Sequence, residues 1–259
     1  MKPAEIRNEL RTKILGKTIH CFDRLDSTSD RASQLAEEGA KEGTLVLAEE
    51  QIKGRGRRRR SWYSPPGLGI WMSIILRPEI VPAAAPGLSL VAGLSLAETI
   101  TAELHTAAAL KWPNDCLLGG KKTAGILTEL SAEREKVRFV ILGVGINVLH
   151  QVNDFPPELQ ETATSLSLAT KQSVDRVHFL QEFLYQLEDN YLNFKDEGLT
   201  PFIKPYTRCC SLIGRQVKAQ VGHKTVSGRA VRLDPTGALV LARGQTETIL
   251  TAGEVIQVR

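Results

Sequence analysis

The sequence predicts an α+β fold: one mixed β-sheet with helices packed on it, followed by a small β-barrel-like unit. Three observations predict it. Apolar runs of strand length, such as 44–49 (TLVLAE) and 69–77 (GIWMSIILR), are interspersed with helical stretches through the first two thirds of the chain. Apolar residues recur at 3.6-residue spacing over 87–105 and 174–194. After Arg215 the texture changes to short alternating runs punctuated by Gly222, Asp234-Pro235, Gly237, Gly244 and Gly253, the turn spacing of an all-β unit. The expected division is a larger unit at 1–211 and a smaller one at 212–259.

Each element has a local reason. Asp26-Ser27-Thr28-Ser29 precedes RASQLAEEGA, so a side-chain oxygen from this cluster is expected to cap a helix that stops at Gly39. The segment 51–67 (QIKGRGRRRRSWYSPPG) is a loop by its glycines, prolines and charge. Pro78, Pro82 and Pro86 mark a connection into the helix at 87–105, whose Leu90, Leu94, Ala97 and Leu104 share a stripe. An extended piece starts at Leu110, and Gly119-Gly120 fits a two-residue hairpin turn, since both positions tolerate positive φ. The run 137–148 (VRFVILGVGINV) reads as a buried strand.

Composition narrows the function classes. With 259 residues and 42% hydrophobic content the chain can bury a sizeable core, and 24% charged residues is ordinary for a soluble protein. The net charge of +4 is unevenly spread. Arg55, Arg57, Arg58, Arg59 and Arg60 fall within six positions, which points to an anionic ligand at that loop. The four cysteines, Cys21, Cys116, Cys209 and Cys210, form no CxxC pair and read as reduced thiols of a cytoplasmic protein. The N-terminus has no apolar signal-like region, and the longest apolar stretch, around 88–97, is too short to span a membrane.

Four segments carry chemistry. Gly54-Arg55-Gly56-Arg57 alternates close-approach glycines with planar cationic donors, which builds an anion-binding flap; by itself it equally fits a solvated or nucleic-acid-binding basic loop. Lys111-Trp112-Pro113-Asn114-Asp115 gathers a cation, an aromatic, an amide and a carboxylate at a stiff bend, or is simply a strand end with a packed Trp. Lys121-Lys122-Thr123-Ala124-Gly125-Ile126-Leu127 brings a lysine into a strand of small residues, as if something lies against it. Gly143-Val144-Gly145-Ile146-Asn147 places glycines in an apolar strand, which suggests close approach of a ligand or second backbone, or a bulge.

In this order the segments resemble the catalytic domain of biotin–protein ligases: the Ser27-Thr28 turn, Gln51 leading into Gly54-Arg55-Gly56-Arg57, then Arg60, Trp62, KWPND at 111–115, the stretch 122–127 and GVGIN at 143–147. The run 228–240 resembles the family's terminal β domain. The resemblance implies a class II synthetase-like catalytic sheet and activation of biotin by ATP, with Mg²⁺, to biotinyl-5′-AMP. Biotin then passes to a lysine of a biotin carboxyl carrier protein or domain.

It further implies a biotin site of Ser27, Thr28, Ser29, Gln51, Gly54, Arg55, Gly56, Arg57, Lys122 and Gly125. Arg57, Arg60, Trp62, Lys111, Asn114 and Asn147 fall on the ATP and adenylate side. Lys122 and Arg57 carry the chemistry, and Asp115 is the candidate Mg²⁺ ligand. Two positions depart from the family pattern. Ser29 stands where asparagine is common, which weakens a cap or biotin contact. Arg59 stands where glycine is common, which removes a hinge and adds charge. The resemblance implies no specific DNA binding, because the Ser-Thr turn comes too early for an N-terminal repressor module, and it makes a homodimer one expected assembly. A lipoate or octanoate ligase of the same superfamily and a basic nucleic-acid-binding protein are the alternatives. The loop is expected to repel itself, through its like charges, until an anion closes it.

Overall fold

The computed structural model describes residues 1–222 and 224–258, without the side chains of Arg59, Glu254 and Gln257. The Arg59 departure therefore lies outside the described side chains.

The helices are α1 (Pro3–Asn8), α2 (Thr28–Glu37), α3 (Gly87–Leu104), α4 (Leu166–Thr170), α5 (Arg176–Glu197) and α6 (Thr200–Cys209). The larger sheet is built from β1 (Ile19–Leu25), β2 (Leu45–Gln51), β3 (Gly69–Leu76), β4 (Ala109–Lys111), β5 (Asp115–Leu118), β6 (Lys121–Glu133) and β7 (Lys136–Asn147). Its strand order is β1-β2-β3-β7-β6-β5-β4. β1 and β2 run parallel across the α2 crossover and every other neighbouring pair is antiparallel, so the sheet is mixed. The smaller sheet comprises β8 (Gln216–Val221), β9 (Lys224–Leu233), β10 (Leu239–Arg243), β11 (Thr246–Leu250) and β12 (Glu254–Val258), in the order β11-β10-β9-β8-β12. All its neighbouring pairs are antiparallel, as expected of a small all-β terminal unit.

The two-residue strand period decides which face does what. On β3 and β7, Ile70, Met72, Ile74, Val140, Leu142, Val144 and Ile146 enter the main core with α3, α5 and α6. The alternate residues Ile75, Phe139 and Ile141 pack under α2 with Ala32, Leu35 and Ala36. Further along that second face the alternating set becomes Ser73, Gly143, Gly145 and, across the ladder, Gly125. The sheet is thus apolar and covered by α2 at one end of this face and glycine-rich beside Trp71 and Leu127 at the other, which is where the site lies.

Helix α3 is buried nearly all round, not along one stripe. Pro82–Leu104 is long and apolar enough to cross a membrane, contrary to the reading of 88–97 as too short. Most of that segment is buried inside the fold, as a core helix is. The sequence reading did not include helix α6; Pro201 stands in its first turn, where proline fits, Pro205 sits inside it, and Phe202 and Tyr206, four apart, carry its buried face.

The core runs through both units. Val217, Ala230, Leu239 and Val255 of the smaller sheet belong to the same apolar cluster as α3 and α5. The indole Nε1 of Trp112 donates to the Gly237 carbonyl at 2.9 Å, so the Trp of KWPND ties the smaller unit to the larger one.

Candidate functional site

A single cavity of about 520 Å³ collects nearly all the residues singled out in the sequence. Ser27, Thr28, Ser29, Gln51, Arg55, Gly56, Arg57, Arg60, Trp62, Lys111, Asn114, Asp115, Lys122, Gly125 and Asn147 line it. Gly54 does not. It closes the base of the loop instead: its carbonyl accepts from the Trp62 N–H at 2.8 Å, and a Cβ there would stand 2.5 Å from the Trp62 carbonyl oxygen.

The hydroxyl wall comes from the start of α2. Ser27 is the helix cap, accepting from the Asp30 N–H at 3.4 Å. Ser29 is therefore not the capping residue. Its hydroxyl lies 3.1 Å from that of Ser73. Gln51, at the end of β2, accepts through Oε1 from both the N–H and the hydroxyl of Thr28, at 2.8 and 3.0 Å. Its Nε2 donates to Ser64 at 3.0 Å, so Gln51 braces the wall against the far end of the loop.

The arginine loop is folded, contrary to the expectation of self-repulsion. Gly56 donates to the Arg60 carbonyl at 2.7 Å, below the Gly54–Trp62 pair, and 57–59 form a 3₁₀ turn. The charge is met by the protein's own acceptors. Arg55 bridges Asp30 on α2 and Glu129 on β6, at 2.8 and 2.9 Å. Arg57 donates to Asn114 Oδ1 at 3.1 Å and to the Gly253 carbonyl at 3.2 Å, and Arg58 donates to the Gln220 carbonyl at 3.0 Å. The smaller β unit thus supplies two of the acceptors that hold the loop. Burial pushes the Glu129 carboxyl above its ordinary range, with Arg55 pulling against that and Asp30 adding to it.

The glycine-rich strands were read as a place for close approach, and the group found there is Trp62. Gly125 and Gly145 are cross-strand partners. A Cβ on Gly145 would lie 2.4 Å from Trp62 Nε1, and one on Gly125 2.9 Å from its ring. The indole lies in the hollow between them. Lys122 stands over the same ring, its Nζ 5.1 Å from the centroid, and pairs with Asp115 Oδ1 at 2.6 Å.

Asn114 and Asn147 line the cavity, but their amide nitrogens donate to the carbonyls of Ile126 and Thr164, each at 3.0 Å. Each amide nitrogen keeps a second N–H beyond the one that fixes the wall. Among the described residues no three His, Cys, Asp or Glu side chains group as a metal site. Asp115, the one carboxylate expected to hold Mg²⁺, is paired with the Lys122 ammonium at 2.6 Å.

The sequence missed a whole wall. Phe155, Leu159, Glu161, Thr162 and Ala163 line the cavity from a segment that has no strand or helix period to mark it. Lys122 N–H donates to the Thr162 carbonyl and Thr164 N–H to the Lys122 carbonyl, so this segment docks on the start of β6. Val255 reaches the cavity from β12. Behind Phe155 lies His150, fully buried and stacked on it at 4.7 Å, with Trp71 edge-on at 5.9 Å. Neither ring nitrogen of His150 has a hydrogen-bond partner, and burial pushes the imidazole down to about 4.

The unfolded chain therefore binds a proton at His150 between about pH 6.5 and 4 that the folded protein refuses, so stability falls as pH drops through that window. Replacing His150 by phenylalanine should flatten that part of the melting temperature against pH, leaving only the carboxylate-driven loss at lower pH. Parallel curves for the two proteins would show that His150 takes up its proton alike in the folded and unfolded states.

A family model described as the biotin/lipoate A/B protein ligase family matches residues 21–147, and one described as the biotin protein ligase C-terminal domain matches residues 212–256. The bifunctional ligase/repressor BirA of Bacillus subtilis is 42% identical over 241 residues, covering 93% of this chain and 74% of the relative. The biotin–[acetyl-CoA-carboxylase] ligase of Mycobacterium tuberculosis is 32% identical over 271 residues, covering 100% of this chain and 98% of the relative. A biotin protein ligase of Aquifex aeolicus, solved in complex with biotin and ATP, matches with a TM-score of 0.81 at 31% identity, covering 94% of this chain and 99% of that one. With sequence, fold and both units matched in order, this chain belongs to the biotin protein ligases of the biotin/lipoate A/B protein ligase family.

Proposed function

We propose that the protein is an ATP-dependent, AMP-forming biotin–protein ligase whose acceptor is a lysine of a biotin carboxyl carrier protein or domain. The observation that carries this is the single cavity on which the hydroxyl wall of Ser27–Ser29, the arginine loop and Lys122 converge. Relatives of nearly the same length, in Mycobacterium tuberculosis and Paracoccus denitrificans, are named biotin–[acetyl-CoA-carboxylase] ligases.

In this reading the biotin carboxylate attacks the α-phosphorus of ATP, pyrophosphate leaves, and biotinyl-5′-AMP forms. The acceptor amine then attacks the acyl carbon and AMP leaves. Both first-step reactants are anions, so bringing them together needs fixed positive charge. Lys122 sits at the carboxylate–phosphate junction, and Arg57 and Arg60 hold the phosphate side. Asp115 is the carboxylate that would hold Mg²⁺ bound with ATP, and the ion would neutralise phosphate oxygens. The loop at 51–63 covers the mixed anhydride and keeps water from it.

Arg55, Arg57 and Arg58 of the loop are engaged inside the fold, which speaks against a basic nucleic-acid-binding patch. The proposal includes the division at 211/212, no specific DNA binding and a cytoplasmic location, the last supported by four free cysteines. The test is mass spectrometry of a biotin carboxyl carrier domain after incubation with the protein, Mg-ATP and either biotin or lipoate. A gain of one biotin, and none of lipoate, is expected. Lipoate transfer or no gain at all would remove the assignment.

A further inference from the structure

The hydroxyl wall has a fixed hydrogen-bond direction, and it is set by a residue outside the cavity lining. The backbone N–H of Thr28 can only donate, and it donates to Gln51 Oε1. That fixes the amide orientation of Gln51, with Nε2 toward Ser64. The Thr28 hydroxyl, 3.0 Å from the same Oε1, must then point its proton at Gln51. Ser73 lies 2.8 Å from Thr28 Oγ1, whose proton is already committed, so Ser73 is the donor there. Ser29 lies 3.1 Å from Ser73 Oγ, whose proton is also committed, so Ser29 donates in turn. Ser73 is fully buried in a strand otherwise made of apolar residues and glycine.

We propose that Ser73 is a positioning residue that polarises the Ser29–Ser73–Thr28–Gln51 chain, so that Thr28 and Ser29 present only lone pairs to the ligand. Ser27 differs. Its oxygen accepts from the Asp30 N–H, so its own proton is left to give. Two acceptors beside one donor are the complement of a cyclic urea, which has two N–H groups flanking a carbonyl. This rests on the biotin-ligase reading and deepens it. It names what distinguishes a ureido ring from a ligand without N–H groups, and it gives Ser29 an acceptor's role where the sequence suggested only a weakened contact.

Without the Ser73 hydroxyl, the Thr28 oxygen loses its donor and the Ser29 proton is free to turn into the cavity, against a ligand N–H. The test is titration calorimetry of wild type, Ser73→Ala and Ser73→Thr with biotin and with biotin methylated on one ureido nitrogen. Ser73→Ala is expected to raise the Kd for biotin about tenfold. It should also shrink the preference for biotin over the methylated analogue several-fold, because the lost N–H contact no longer counts. The threonine variant should restore both, and kcat at saturating biotin should stay within about twofold of wild type. An unchanged Kd, or weakening shared equally by the two ligands, would overturn the relay, since a merely structural serine predicts one or the other. A wild type that binds no biotin removes the ligase reading, and this proposal with it.

Discussion

Substituting Lys122 by alanine is expected to slow adenylate formation by about a hundredfold or more while leaving biotin affinity within a few-fold. The side chain is the exposed part of a rigid position. The Lys122 N–H and carbonyl are both taken by the 162–164 segment, so the backbone stays in place when the ammonium is lost. The ammonium is held by Asp115 at 2.6 Å and by the Trp62 face, which aims it into the cavity without burying it. A hundredfold loss corresponds to about 2.7 kcal/mol of transition-state stabilisation, the size expected of one fixed cation at developing charge. The measurement is pyrophosphate release under single-turnover conditions, beside biotin binding by calorimetry. Near-normal release by the variant would show that another cation does this work. Asp115→Asn is the companion variant: it leaves the lysine charged and should fall well short of the alanine effect.

What could be read from the sequence was local chemistry and period, and what could not was which group meets which. The apolar runs 69–77 and 137–148 predicted two buried strands, and the glycines of 143–147 predicted close approach of a ligand or second backbone, or a bulge. Nothing in GVGIN says that the group is Trp62, because that depends on a loop folding back about eighty residues earlier in the chain. The Ser27–Ser29 cluster predicted a cap without choosing the capping residue, since all three hydroxyls satisfy the same local rule and tertiary contact with Ser73 decides. Ser73 itself left a signal, a lone hydroxyl in the apolar run GIWMSIIL, where an unpaired polar group would be costly. The wall at 155–163 left none: its shape is set by docking on β6 and on the His150–Phe155 stack, both tertiary contacts. The arginine run was read as charge awaiting an anion. Its acceptors, Asp30, Glu129 and the carbonyls of Gln220 and Gly253, lie far apart in the chain and become visible only in the fold.

Arg57→Gly should leave adenylate synthesis partly intact and let the intermediate escape. The guanidinium is the link between three parts of the site. It starts in the loop, donates to Asn114 in the bend after β4, and reaches the Gly253 carbonyl in the smaller unit. Glycine at this position removes all of these contacts at once and frees the backbone beside Gly56. In the proposed reading the same guanidinium holds the adenylate phosphate, through charge-assisted hydrogen bonds worth roughly 1.5–3 kcal/mol each. Losing one or two would raise the off-rate by about ten- to a few hundredfold, since most affinity change appears in dissociation. Lys122 is untouched, so the chemistry continues and the free mixed anhydride acylates exposed lysines on bystander proteins. Biotin blotting of added serum albumin, with wild type and variant matched for pyrophosphate release, reads this directly. If albumin is labelled no more by the variant than by wild type, retention belongs to Arg55 or Arg60. The loop would then be fastened through the Asp30–Glu129 clamp on its other side, and Arg55→Gly would become the variant that leaks.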